Sequence, residues 1–181
     1  MNASVKLILK ATAFAAHKHR NHRRKDAQET PYINHPVALA VVLCEEGGVQ
    51  DPAILAAALL HDTIEDTLTC YDELRGQFGT HIADIVAEVT DTKFLGKRTR
   101  KQLQVARARR ASKDAQQVKI ADKLCNLRDI LANPPAKWSE ARKREYFDWA
   151  KSVVDQIGGA NPRLARKFDR VWEAGTDRRA S

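Results

Sequence analysis

The run His61-Asp62-Thr63-Ile64-Glu65-Asp66 places one imidazole and three carboxylates within six consecutive residues. At helical spacing, steps of three and four bring His61, Asp62, Glu65 and Asp66 onto neighbouring parts of one face. Carboxylates crowded in this way repel and raise one another's pKa. A divalent cation removes that conflict, so the run reads as a metal site with acid/base groups beside it.

His35 and Asp122 are further residues of the right type. His35 follows Tyr32-Ile33-Asn34 at the expected start of a helix, and Asp122 shares a helical face with Asn126 and Asp129. Two imidazoles and two carboxylates, His35, His61, Asp62 and Asp122, suit a borderline-to-hard divalent ion with positions left for water and phosphate oxygens. Manganese, iron or magnesium fit that donor set; sulfur-rich structural zinc does not. Such a site supports metal-assisted phosphoester hydrolysis. Glu65 and Asp66, one helical turn on, form the pair expected to serve as general base and water-orienting group, and spacing does not decide which takes the proton. Asn126 is placed to hydrogen-bond ribose or phosphate. The plain alternative is a solvated acidic helix end, but a half-buried His-Asp-x-x-Glu-Asp face is costly without compensation.

These residues need elements to hold them, and the apolar periodicity supplies helices. A first helix follows Ser4 as N-cap through Ala16 and leads into the basic stretch His17–Lys25; residues 26–34, with Pro31, read as a loop. Pro36 suits the first turn of a second helix, stopped by Gly47-Gly48, and Asp51-Pro52 starts a third that ends near the carboxylates. Thr69 with Asp72 resembles a capping box for a short helix closing at Gly79, and Thr80 opens another. A polar segment Thr90–Arg98 precedes a basic helical stretch, Thr99–Ala111; Gln116–Leu131 carries Asp122. Ser139 caps a long helix ended by Gly158-Gly159, and Asn161-Pro162 opens a last one stopped at Gly175. The reading is an all-α fold, one compact domain over residues 1–175, with a frayed tail over 176–181.

Composition sets the outer bounds. The 181 residues allow a sizeable core, with 43% hydrophobic and 30% charged residues as in ordinary globular chains. The net charge of +8 points to an anionic partner. Cys44, Cys70 and Cys125 form no paired motif; Cys44 and Cys125 fall in amphipathic patterns and are expected in the core. Lys6 and Lys10 interrupt any N-terminal apolar segment, and no stretch approaches the ~18 apolar residues that span a bilayer. A cytoplasmic protein without membrane partners is expected. A basic nucleic-acid-binding module would explain the charge but not the carboxylate face, and with only 6% aromatic residues and no binding motif the balance is against it.

The order His, His-Asp, Asp is that of the HD-domain phosphohydrolases, an all-helical superfamily. Arg24-Lys25, Thr30–Pro36, Ala58–Thr67 and Lys119–Arg128 together resemble the hydrolase domain of RelA/SpoT proteins, in order from about Ala11 to Asp129. Trp138-Ser139-Glu140 and Tyr146–Trp149 extend the likeness, and the length is similar to that of small stand-alone alarmone hydrolases, metazoan SpoT-like members included. The pattern departs where Ala27-Gln28-Glu29 holds no glycine and where Asp129 stands in place of a common Thr. The resemblance implies hydrolysis of the 3′-pyrophosphate of guanosine tetra- or pentaphosphate to GDP or GTP, with manganese. It also implies that Arg24 stacks on the guanine and Lys25 meets the anionic groups of this guanine nucleotide substrate. Lys97 and Arg142 are weaker candidates for its 5′-diphosphate. Another nucleotide phosphate, NADPH among them, is the alternative substrate. His17, His19, His22 and His81 lack matching partners and are assigned no role.

Overall fold

The computed structural model describes residues 2–91 and 94–177, and among them every regular element is a helix. Helix α1 spans Ala3–Lys18; its cap is Asn2, whose side chain accepts from the Ser4 amide at 2.9 Å, so Ser4 lies inside the first turn and not before it. Helix α2 (Asn34–Val41) holds Pro36 in its first turn and widens into a π turn over Val42–Glu46. Helix α3 covers Pro52–Leu60, with the Asp51 carboxylate accepting from the Ala53 amide at 2.8 Å. The one-turn helix α4 (Thr63–Asp66) and helices α5 (Tyr71–Phe78) and α6 (Thr80–Val89) follow. Basic helix α7 (Lys97–Arg107) precedes α8 (Lys113–Ala132) and α9 (Glu140–Ile157), which Ser112 and Ser139 cap with their side chains. Helix α10 is Pro162–Asp177.

Three local expectations are corrected. Thr69 does not cap α5: its hydroxyl is buried against the Thr67 hydroxyl at 2.8 Å, and Cys70 takes the cap position without a side-chain bond. Cys44 is exposed while Cys125 is buried. Cys44 follows Val37 and Val41 at helical spacing, and both are exposed too, so it lies on the outer face of this helix while Val42 and Leu43 turn inward. Gly175 does not end α10, which runs on to Asp177; an interior glycine costs a helix only about 1 kcal/mol. Thr176 and Asp177 of the expected tail are therefore helical. Residues 178–181, like Thr92 and Lys93 of the expected polar segment, lie outside the described residues.

Two helices are buried nearly all round and organise the rest. Ile54 and Ala56 to Leu60 of α3 are all buried, with α1, α2, α6 and α8 packed around them. Helix α8 buries Val118, Ile120, Ala121, Leu124, Cys125 and Leu127 against α2, α6, α9 and α10. Each large side chain fully buried this way contributes roughly 1.5–3 kcal/mol, and the packing fixes the helices to a fraction of an ångström. Their positions decide where His61-Asp62 and Asp122 meet.

The π turn is a packing device. The Gly47 amide donates to Val42 O at 2.9 Å, and a Cβ on Gly47 would fall 2.6 Å from Leu43 O and 3.1 Å from both Asn161 Nδ2 and Leu164 Cδ1. Asn161 Nδ2 itself donates to Gly47 O at 3.1 Å, tying α10 to this turn. Gly47→Ala is expected to destabilise the fold by about 1–3 kcal/mol through overpacking, read as a lower urea midpoint with unchanged slope.

Candidate active site

Helix α3 stops at Leu60, and the chain turns sharply through His61 and Asp62 before α4. The six-residue run is thus not one continuous helical face. Thr63 Oγ1 donates to Leu60 O at 2.7 Å, and Asp62 sits at φ −100°, ψ 2°, which breaks the helix and throws both side chains toward α8. His61 Nδ1 lies 2.8 Å from Ala58 O, a bond that fixes the proton on Nδ1 and turns Nε2 inward.

Three of the four expected ligands converge, and the fourth adjoins them. One donor atom each from His35, His61 and Asp62 lies within 4.8 Å of the others. Asp122 joins through its Oδ1, 3.2 Å from His35 Nε2. His61 Nε2 stands 2.8 Å from Asp62 Oδ2, yet it is buried without a hydrogen bond of proper geometry. Donor atoms so close and so poorly aligned to one another are aimed at a common point between them, the arrangement a cation requires. Charge argues the same way. Burial would raise the carboxyls of Asp62 and Asp122, but His61 beside the first, and Lys123 with His35 beside the second, hold both well below the usual range. Burial likewise opposes charge on His61, yet Asp62 and then Asp122 lift it to about 9. The cluster demands positive charge, and the donor set, with oxygen and imidazole nitrogen and no sulfur, fits a divalent ion.

Neighbouring groups hold these side chains, and of them the sequence spacing pointed to Asn126 alone. Tyr32 donates its hydroxyl to Asp62 Oδ2; burial and the Asp62 charge keep that phenol protonated. Its ring stacks on buried His19 with centroids 4.8 Å apart, and His19 Nδ1 is 3.0 Å from His22 Nδ1. Two histidines left without a role therefore pack behind the residue that holds Asp62. Lys123 Nζ is 2.9 Å from Asp122 Oδ2, and Asn126 Nδ2 donates to Asp122 Oδ1 at 2.6 Å.

Glu65 and Asp66 both border the metal cluster, in a cavity of about 320 Å³ that Arg24, Lys25, Lys119 and Asn126 also line. Glu65 Oε2 accepts from the Asp91 amide at 3.1 Å, and its other oxygen is 3.6 Å from Arg100 Nη1. Burial first, then the charges of Asp62, Asp91 and Asp66, push its carboxyl up to about 7. Arg100, from basic helix α7, thus reaches the centre.

A second, wider cavity of about 790 Å³ opens from the same residues, Arg24, Lys25, Tyr32, His35, Asp66, Asn126 and Tyr146 lining both. Its volume suits a nucleotide-sized ligand. Arg24 Nη2 donates to Asp129 Oδ2 at 2.6 Å and Asn126 Oδ1 at 3.2 Å, so the arginine is held at the junction. Lys97 and Arg142 line neither cavity. Burial, Arg142, Lys101 and Lys25 lower the Lys97 pKa, which marks a positive cluster close to the wide cavity's edge. Arg142 lies over the Trp138 ring at 4.5 Å, and Trp138 does line the wide cavity.

Comparison with known proteins agrees with this geometry. Residues 11–149 match the HD domain family. The guanosine-3′,5′-bis(diphosphate) 3′-pyrophosphohydrolase MESH1 of Xenopus tropicalis is 50% identical over 172 residues, covering 95% of this chain and 96% of the relative. The human enzyme of that name is 50% identical over 96% of this chain and 97% of its own length. A solved structure, described as a metazoan ortholog of SpoT that hydrolyzes ppGpp and plays a role in starvation responses, superposes with a TM-score of 0.91. Its identity is 42% over 96% of each chain. No helix among the described residues is long and apolar enough to cross a membrane.

Proposed function

This chain belongs to the HD domain family, and from that premise we propose that it is a metal-dependent guanosine-3′,5′-bis(diphosphate) 3′-pyrophosphohydrolase. The observation that carries the reading is the convergence of His35, His61 and Asp62 within 4.8 Å, with Asp122 adjoining and a basic nucleotide-sized cavity opening beside them. The reaction adds water across the bond joining the ribose 3′ oxygen to phosphorus and gives GDP or GTP plus pyrophosphate.

Held by His35, His61, Asp62 and Asp122, a manganese ion would supply Lewis acidity toward a phosphate oxygen and a water of lowered pKa; iron or magnesium are the lesser candidates. Glu65 takes the proton of the attacking water, its basicity raised toward neutrality by burial. Asp66, bordering both cavities, orients that water. Lys25 and Asn126 hold the anionic groups and the ribose, while Lys97 and Arg142 serve the 5′-diphosphate. The cytoplasm, where such nucleotides reside, is the proposed compartment.

Arg24 is assigned to the guanine face. It lies over the Tyr32 ring at 5.8 Å and is pinned by Asp129 where it lines the wide cavity, so its planar cation is held in place for the base to stack on. Arg24→Ala is expected to raise KM about 3- to 30-fold with kcat little changed, the loss of roughly 0.5–2 kcal/mol of ground-state contact. Initial rates over a substrate series check this.

The decisive experiment is incubation with manganese and a nucleotide panel, with products identified. Pyrophosphate and GDP from guanosine tetraphosphate support the reading. Orthophosphate from NADPH alone, with guanosine tetraphosphate intact, would overturn it.

A further inference from the structure

The mechanism leaves one cavity and most of a basic helix unused. Behind the Glu65 wall lies a third cavity of about 380 Å³, bordered by Arg100, Arg107, Arg110 and Lys119 with Glu88 and Asp91. Four cations face two carboxylates, and both carboxylates already have donors. Glu88 accepts from the Ser112 amide at 2.6 Å, and Asp91 from Gln104 Nε2 at 2.6 Å. Among the described residues, neither Arg107 nor Arg110 has an ion-pair partner.

A donor at this wall is left in need of an acceptor. Arg100 Nε is buried without a hydrogen bond. Lys119 is only 9% exposed and has no ion pair among the described residues; burial, with Lys123 nearby, lowers its pKa. A buried guanidinium nitrogen without a partner is costly, and an anion held between Arg100 and the Lys119 ammonium removes that cost. The cavity also adjoins the catalytic one, because Asp91, Gln104 and Lys119 border both.

We propose that this cavity is a binding site for inorganic pyrophosphate, held by Arg100, Arg107, Arg110 and Lys119, into which the leaving group passes. The choice of pyrophosphate rests on the hydrolase reading, whereas the need for a phosphate-type anion rests on the cavity alone. Pyrophosphate spans several cations at once, and guanidinium groups bind its oxygens in pairs. Occupancy also competes with Glu65 for Arg100, which is shared between them at 3.6 Å. Accumulated product therefore disturbs the base from behind while the nucleotide cavity stays open, so inhibition by pyrophosphate lowers kcat and is not relieved by more substrate.

The test is calorimetric titration of sodium pyrophosphate into protein stripped of metal by chelation, with orthophosphate as a parallel arm. One site is expected, with Kd raised about tenfold or more in an Arg107→Ala/Arg110→Ala double variant and unchanged in Lys25→Ala. Orthophosphate should bind about tenfold more weakly, having fewer oxygens to share. Both arginines are exposed, so the double variant should fold, and its turnover at low product should match the parent while inhibition by added pyrophosphate, at fixed free metal, weakens in step. Absence of binding, an unchanged Kd in the double variant, or equal affinity for orthophosphate each overturns the proposal. A chain that binds pyrophosphate here yet leaves guanosine tetraphosphate intact would sink the hydrolase reading and keep the anion site. The converse result would do the opposite.

Discussion

Asp62→Ala is expected to lower kcat on guanosine tetraphosphate by about 10³-fold or more and to weaken manganese binding in parallel. Asp62 is the residue on which most of the centre depends. Its Oδ2 lies 2.8 Å from His61 Nε2 and accepts the Tyr32 hydroxyl, and its charge raises the His61 pKa to about 9. Removing it takes away one donor, leaves a buried phenol without its acceptor and loosens His61 at once. The fold should survive, since Asp62 lies in the turn after α3 and its loss relieves repulsion with Asp122. Manganese titration by calorimetry with a parallel thermal melt separates the outcomes. A folded variant with near-normal turnover at saturating manganese would mean that the centre lies elsewhere.

The helices that carry the site were legible because their signals are local. Asp51-Pro52 and Ser139 start α3 and α9 with side chains that cap the first turn, whereas α8 begins at Lys113 behind a Ser112 cap, ahead of the expected Gln116. The convergence of His35, His61 and Asp62 could be expected because few other arrangements explain imidazole and carboxylate of this spacing. What the spacing could not give is the break at His61-Asp62, since nothing in that run is a helix breaker. The turn arises from tertiary packing of α3 against α8 together with the Thr63 hydroxyl bonding back to Leu60. The supporting residues were hidden for a similar reason. Tyr32 and Asp62 are 30 positions apart, and Arg100 reaches Glu65 from a helix whose composition reads as plain solvated surface. Cys44 shows the limit in reverse, since with Val37 and Val41 it forms an apolar stripe at helical spacing that faces solvent and not the core.

Glu65→Gln is expected to move activity and stability in opposite directions. As the proton acceptor, Glu65 works only when ionised, so the parent's kcat should rise with pH to a plateau, with a midpoint at or below about 7 once a cation is bound nearby. The glutamine variant should lose about 10²–10³-fold in kcat, keep its manganese affinity and show no such rise. Stability follows from the same shift. A carboxyl whose folded pKa, about 7, exceeds its unfolded value holds its proton more tightly when folded. Its contribution to stability is complete below the unfolded pKa of ~4.3 and is lost as pH rises through the folded one. Glutamine never ionises and still accepts from the Asp91 amide, so at pH ~8 the metal-free variant should be more stable than the parent by roughly 1–3 kcal/mol. At pH ~4, where the parent carboxyl is protonated in both states, the difference should vanish. The side chain is 20% exposed, and solvent screening places the gain toward the lower end of that range. Urea unfolding at the two pH values, beside a pH–rate profile, reads both effects. A variant with normal turnover would transfer the base role to Asp66, and one equally destabilised at both pH values would show that Glu65 is there to hold the structure and not to take a proton.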